Sequence, residues 1–283
     1  MSSEIRPDYQ SLNTEARNPR TMEIDQLPTL EMVRLMAEEN RVVEDAVAAE
    51  SEHIAQAIDL IAQAMEQGGH LIYVGAGTSG RLGVLDASEC PPTFGVDYEL
   101  VRGVMAGGKQ AMFRASEGAE DSAEQGMADM IADGVKAGDV VVGLSASGGA
   151  PYVLGALQAA AQLGAVPIGV TCNPASLMHP ICRVTIAPVV GPEVITGSSR
   201  LKAGTAQKLV LNMLSTGAMI KTGRVMGNLM VNVRPTNQKL RLRCIRIIRE
   251  LSGCDAQLAE QALDACSDIR EAVAYVQKNA QKP

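Results

Sequence analysis

The stretch LIYVGAGTSGR, residues 71–81, decides how the rest of the chain reads. Its opening apolar run suits a short strand buried on both faces. Glycines at 75, 77 and 80 then interrupt it, and Gly77-Thr78-Ser79-Gly80 stands where a helix would begin. A strand entering a glycine-rich turn and then a helix is the first half of a β-α-β unit. The G-x-G-x-x-G spacing matches the dinucleotide fingerprint, with Asp97 and Glu99 about 20 residues further on as candidate ribose partners. It also narrowly misses a nucleotide-triphosphate loop, which needs Lys followed by Ser or Thr where this chain has Arg81 and Leu82. Thr78 and Ser79 support a third reading, one terminal phosphate held by hydroxyls and backbone N–H groups at a helix start. A plain tight turn is the fourth.

Working outward, runs of the same kind recur at 99–105 (ELVRGVM), 139–149 (DVVVGLSASGG), 166–172 (VPIGVTC) and 183–190 (RVTIAPVV). Helical segments separate them, among them 111–135 and 152–164, and such alternation predicts a parallel sheet covered by helices on both faces, a three-layer α-β-α class. Residues 1–28 read as extended, and helix dominates from Leu30 to about 67, stopping at Gly68-Gly69. A long helix is expected from near Ser199 to about Thr222. Three short ones follow, Lys239 to Leu251, Ala256 to Cys266 and Ile269 to Asn279; Gly253 stops the first, Asp255 caps the second, and Asp268 with Glu271 has capping-box spacing for the third. The expected division is an N-terminal extended and helical segment over 1–60, an α/β domain over 61–224, and a small helical unit over 239–283.

Composition narrows the function. The 283 residues carry 25 Lys plus Arg against 32 Asp plus Glu, a formal charge of -7 that argues against binding duplex nucleic acid through the overall field. With no Trp, two Phe and five Tyr, stacking platforms are scarce, so recognition should rest on hydrogen bonds and backbone dipoles. Six scattered cysteines without a C-x-x-C favour reduced thiols over zinc or a disulfide framework. No residue between Asp139 and Arg183 is formally charged, but six Gly and four Pro keep that stretch well short of the about 18 consecutive apolar residues of a membrane span. The polar N-terminus lacks a signal-peptide core, and a cytoplasmic protein is expected.

A second glycine- and hydroxyl-rich loop, Leu144-Ser145-Ala146-Ser147-Gly148-Gly149, follows the second well-marked strand. In a parallel sheet both loops emerge at the carboxyl edge, where their hydroxyls and N–H groups can surround a phosphate without a lysine. A dinucleotide enzyme has no need of this second loop. The two loops resemble those of the sugar isomerase (SIS) phosphosugar-binding domain. The segments 74–95, 117–122, 143–157 (GLSASGGAPYVLGAL), 169–174, 195–216 (ITGSSRLKAGTAQKLVLNMLST) and 227–233 are similar, more specifically, to the N-acetylmuramic acid 6-phosphate etherase family.

That resemblance implies cleavage of the lactyl ether of N-acetylmuramic acid 6-phosphate to N-acetylglucosamine 6-phosphate and D-lactate. The C2 proton is removed, lactate leaves from C3, and water adds across the resulting double bond; no redox cofactor and no metal are implied. It also implies Glu89 as general acid at the departing oxygen and Glu120 as base at C2. Gly77, Thr78, Ser79, Ser145, Ser147, Gly148 and Gly149 would hold the phosphate end, with Ser199 and Lys202 near the substrate. A homodimer with sites near the subunit interface is implied as well, the helix around 206–220 contributing. From the residues themselves, an elimination and hydration needs an acid and a base, which two carboxylates in different environments supply. Pro91 is expected to end the helix after Cys90 and leave Glu89 facing a loop, while Gly118 lets backbone approach a ligand near Glu120. Glu117, Asp121 and Glu99 compete for the same roles. A non-catalytic phosphosugar sensor, like the regulator of glucokinase that shares the fold, and a dinucleotide-dependent oxidoreductase are the rival readings.

Overall fold

A computed structural model describes residues 14–116, 118–233, 235, 237–266 and 268–280. The apolar runs form β1 (Leu71–Gly75), β2 (Val101–Met105), β3 (Val140–Leu144), β4 (Val166–Val170) and β5 (Val184–Ile186). All pair in parallel, in the order β2-β1-β3-β4-β5. Side chains alternate across the sheet as the two-residue period requires. Leu71 and Tyr73 face one apolar cluster, together with α2 (Val42–Ala48), α3 (Ser51–Glu66), α4 (Gly77–Phe94) and α7 (Lys202–Lys221). Ile72 and Val74 face the other, with α5 (Ala123–Ala132) and α6 (Pro151–Gln162). The result is the expected three-layer α-β-α arrangement. Because the chain leaves β1 toward β2 on one side and returns to β3 on the other, strand order reverses beside β1, and a crevice opens at the carboxyl ends of β1 and β3.

The C-terminal helices fall where the caps put them: α8 (Gln238–Ser252), α9 (Ala256–Ala265) and α10 (Ile269–Ala280). Gly253 closes α8 in the left-handed region, and Asp255 accepts the Leu258 N–H at 2.8 Å. Their apolar cluster also takes in Val231 and Val233, next to the short antiparallel pair β6 (Val225–Met226) and β7 (Leu229–Met230).

Several expectations change. The helix over 30–67 is three helices, α1 (Thr29–Asn40), α2 and α3. At the second break the Ser51 hydroxyl donates to the Ala48 carbonyl, and the Glu50 carboxylate accepts the Ala187 N–H at 3.0 Å, so local and tertiary bonds replace the helical ladder. Within 111–135 only α5 is α-helical; Gly118, at φ 73, interrupts the pattern and Ser122 caps the helix. Finally, α4 continues through Pro91 and Pro92 to Phe94, closed by a bond from Gly95 N to the Pro91 carbonyl, so Glu89 lies within a helix. Each proline removes an N–H from the ladder and crowds the carbonyl four residues back, and the Gly95 bond and buried Phe94 hold the turn despite that loss. Residues 1–13 of the expected extended segment lie outside the described residues, and the rest is not extended throughout, because Pro19–Thr21 and Ile24–Gln26 each form a 3-10 turn. Among those described, no helix is long and apolar enough to cross a membrane.

Candidate active site

The crevice at the strand-order reversal is a cleft of about 280 Å³. Ala76 to Ser79, at the start of α4, form one wall, and Leu144 to Ser147 with Ala150 and Pro151, at the start of α6, form another. Glu120, Asp121, Gly197 and Ser199 enter from connecting segments, and Thr14 and Glu15 from the N-terminal one. Two helix N-termini thus meet the cleft, and the first N–H groups of a helix have no partner within it.

The first loop owes its shape to close backbone contact. A Cβ on Gly80 would lie 2.6 Å from the Gly75 carbonyl oxygen, so these two glycines let α4 start directly against β1. The fingerprint therefore has a packing cause. Asp97 and Glu99 precede β2, at the edge of the sheet away from the cleft, where Glu99 faces Arg102. Arg81, at the position where a triphosphate loop has lysine, turns from the cleft and donates to the carbonyls of Ala111 (2.7 Å) and Met112 (3.1 Å).

The second loop is held from behind by residues after β4. Thr171 Oγ1 donates to the Ala146 carbonyl, Asn173 Nδ2 to that of Ser147 and Ser176 Oγ to that of Gly148, at 3.2, 3.1 and 2.9 Å. With its carbonyls occupied there, the loop offers the cleft its hydroxyls. Gly148 sits at φ 70, and any Cβ there would lie 2.0 Å from Ser176 Oγ, so only glycine fits.

Of the residues singled out in the sequence, Gly77, Thr78, Ser79, Ser145, Ser147, Ser199 and Glu120 come together in this cleft. Gly148 and Gly149 are buried and shape the loop without lining the cleft. Lys202 is 3% exposed, and its Nζ lies 2.9 Å from Glu39 Oε2, directed into that buried pair. Glu89 lines a separate groove with Leu85, Asp86, Lys208 and Asn212. It follows Gly77 by 12 residues, about 18 Å along the helix axis. Glu117 lies outside the described residues.

Four contributors escaped the sequence reading: Thr14, Glu15 and Gly197, which line the cleft, and Gln207 on α7, whose Oε1 accepts from Ser79 Oγ at 2.8 Å. Nothing in the sequence ties positions 14, 15 or 207 to the glycine loops.

The electrostatics are unusual for an anion site. Glu15, Glu120 and Asp121 line the cleft, and among the described residues no Lys, Arg or His does. A phosphate here would be met by hydroxyls and helix N-termini, away from the carboxylates, which leaves those carboxylates free to accept or take protons from the rest of the ligand.

Comparison with known proteins agrees with this geometry. Residues 53–161 match the family model described as the glucokinase regulatory protein N-terminal SIS domain. Among solved structures, a phosphoheptose isomerase from Francisella tularensis superposes with a TM-score of 0.53 at 18% identity, covering 69% of this chain and 100% of that one. A phosphoheptose isomerase from Neisseria gonorrhoeae gives 0.50 at 20% identity, over 67% and 97%. These share the fold. Much nearer in sequence are proteins named N-acetylmuramic acid 6-phosphate etherase. That of Clostridium botulinum strain Loch Maree is 53% identical over 272 residues, 96% of this chain and 90% of its own length. That of Symbiobacterium thermophilum is 56% identical over 263 residues, 93% and 87% respectively. With identity at that level over nine-tenths of its length, this chain belongs to the N-acetylmuramic acid 6-phosphate etherase family.

Proposed function

We propose that the chain is a carbon–oxygen lyase that releases D-lactate from N-acetylmuramic acid 6-phosphate and leaves N-acetylglucosamine 6-phosphate, a step in reusing cell-wall amino sugar. The observation that carries this reading is one cleft lined both by the hydroxyls of two glycine-rich loops, with no lysine among the described lining residues, and by a carboxylate, Glu120, in a chain belonging to that family.

The phosphate ester binds Ser79, Ser145 and Ser147 and the N-terminus of α4, which fixes one end of the open-chain sugar. Glu120 takes the proton at C2, acidic because it lies beside the C1 carbonyl. The C3–O bond breaks, its electron pair leaves with lactate, and a C2–C3 double bond forms. Water then adds its hydroxyl at C3, and Glu120, its proton having exchanged with solvent, delivers one to C2, so atoms and charge balance without an oxidant. A pure sensor would need the hydroxyl cradle but no carboxylate at C2.

The departing lactate oxygen needs an acid, and Glu89 is the residue the family resemblance assigns. Within one chain it stands about 18 Å along α4 from the cleft. A homodimer in which Glu89 of the partner subunit reaches this cleft reconciles the two. In support, the groove holding Glu89 lies between α4 and α7, where Leu85 is 49% exposed beside Leu82 and Leu211, apolar surface of the kind a partner covers. A reducing cytoplasm agrees with six cysteines that are all unpaired.

The test follows D-lactate release in deuterium oxide and deuterium at C2 of the product. Release with C2 label is the expected result; binding without release would leave the sensor. Glu120→Gln and Glu89→Gln should each bind substrate and lose turnover. Mixing the two inactive proteins should restore activity, because in a mixed dimer one site keeps both carboxylates if they come from different chains. No recovery after subunit exchange would put both in one chain and refute the shared site.

A further inference from the structure

The N-terminal segment is built into the site. From Thr14 to Thr21 it is anchored at several points: Asn18 Nδ2 donates to Glu39 Oε2 at 2.7 Å, and Thr21 Oγ1 donates to the Val194 carbonyl at 2.9 Å. Val194 lies in the same connection that carries Gly197 and Ser199 into the cleft, and the adjacent Glu193 accepts the N–H groups of Lys202 and Ala203, both at 2.9 Å, fixing the start of α7. Lys202 itself holds Glu39. One bonded set thus ties the segment, the connection and the helix together, and it delivers two polar side chains to the cleft.

Neither of them pairs its polar group with another described residue. Thr14 is 2% exposed, and its Oγ1 has no hydrogen-bond partner among the described residues, although a buried hydroxyl left unpaired costs free energy. Glu15 lines the same cleft; a side chain begun at Gly197 would lie 3.0 Å from its carboxylate. An ionised carboxylate only accepts hydrogen bonds and repels phosphate and carboxylate groups. What it faces in a ligand must be a donor.

We infer that Thr14 and Glu15 bind the sugar portion of the ligand, taking hydrogen bonds from its hydroxyl or acetamido N–H groups, while the serine loops hold the phosphate. Together they select a molecule that is anionic at one end and rich in donors at the other. Asn18, Thr21, Glu39 and Lys202 act as positioning residues for the pair. The inference rests on the sugar-phosphate reading of this cleft and adds the residues that recognise the sugar.

Calorimetric titration of the full chain with N-acetylglucosamine 6-phosphate, and separately with inorganic phosphate, tests it. Thr14→Val keeps the side-chain shape and removes a hydroxyl that bonds nothing among the described residues, so its melting temperature should equal or exceed that of wild type. Its affinity for the sugar phosphate should fall about ten-fold, the loss of one hydrogen bond, with inorganic phosphate unaffected. Thr14→Ser should restore affinity. Glu15→Gln should also weaken the sugar phosphate about ten-fold and bind inorganic phosphate at least as tightly as wild type. Wild-type sugar-phosphate affinity in both variants, or equal losses for both ligands, would overturn the inference. A wild-type protein that releases no lactate yet loses sugar-phosphate affinity in Thr14→Val would sink the lyase reading and uphold this one.

Discussion

Ser79 shows how much a single hydroxyl can depend on its neighbour. Its proton is directed at Gln207 Oε1, 2.8 Å away, and Gln207 Nε2 is buried with no partner among the described residues. A phosphate that takes the Ser79 proton leaves the Gln207 oxygen without its donor. Rotating the amide by half a turn would instead offer N–H to the Ser79 oxygen, so the hydroxyl would accept from Gln207 and donate to phosphate. Gln207→Leu should therefore raise KM about five-fold, the value of one hydrogen bond, with kcat within two-fold and stability nearly unchanged. An unaltered KM would show that Gln207 does not orient Ser79. Ser79→Ala should weaken binding of the phosphate ester by about 1 to 3 kcal/mol, read as affinity for N-acetylglucosamine 6-phosphate, because an anionic acceptor loses a donor. The serines were legible in the sequence because hydroxyl and glycine cluster locally after a strand. Gln207 was not, since its role depends on a contact spanning 128 residues.

At the scale of elements, the loop after β3 is the clearest case of sequence and packing demanding the same residue. Gly148→Ala would force a side chain into the left-handed region and against Ser176, the residue whose hydroxyl bonds the Gly148 carbonyl. The cost should be about 3 kcal/mol in urea unfolding, with loss of sugar-phosphate binding because Ser147 is carried by the same turn. A variant with wild-type stability would mean that the loop has room to move. The five strands could be read from short apolar runs, because a strand buried on both faces needs nothing more than such a run. The C-terminal helices could be read from their caps, because Gly253 and Asp255 act on their own neighbours. Helix boundaries set by distant partners could not. Glu50 ends one helix by reaching Ala187, and α4 outlasts two prolines because its remaining bonds and buried Phe94 hold the last turn.

For the molecule as a whole, the pair Glu39 and Lys202 joins the N-terminal helices to the helix that backs the cleft, and it separates two accounts of Lys202. Burial alone would raise the Glu39 carboxyl, but hydrogen bonds from Lys202 and Asn18 and the charges of Lys202 and Arg20 outweigh it and hold the group below its usual value of 4.5. A carboxylate lowered on folding stabilises the native state above its unfolded value, so this contribution is complete above about pH 4.5 and is lost as pH falls through the lower folded value. Lys202→Met leaves Glu39 buried with only Arg20 and Asn18, which should cost about 3 kcal/mol at pH 7. The loss relative to wild type should shrink toward pH 3, where protonation removes the charge that Lys202 neutralises. If Lys202 acts by holding the N-terminal segment, the double variant Glu39→Leu/Lys202→Met, with no buried charge to strand, should recover most of the stability and the sugar-phosphate affinity lost in the single one. If Lys202 instead reached the ligand, affinity would stay low in both. Measuring melting temperature and affinity on the same three proteins therefore decides whether a lysine at the start of α7 serves a ligand or the architecture that brings Thr14 and Glu15 to the cleft.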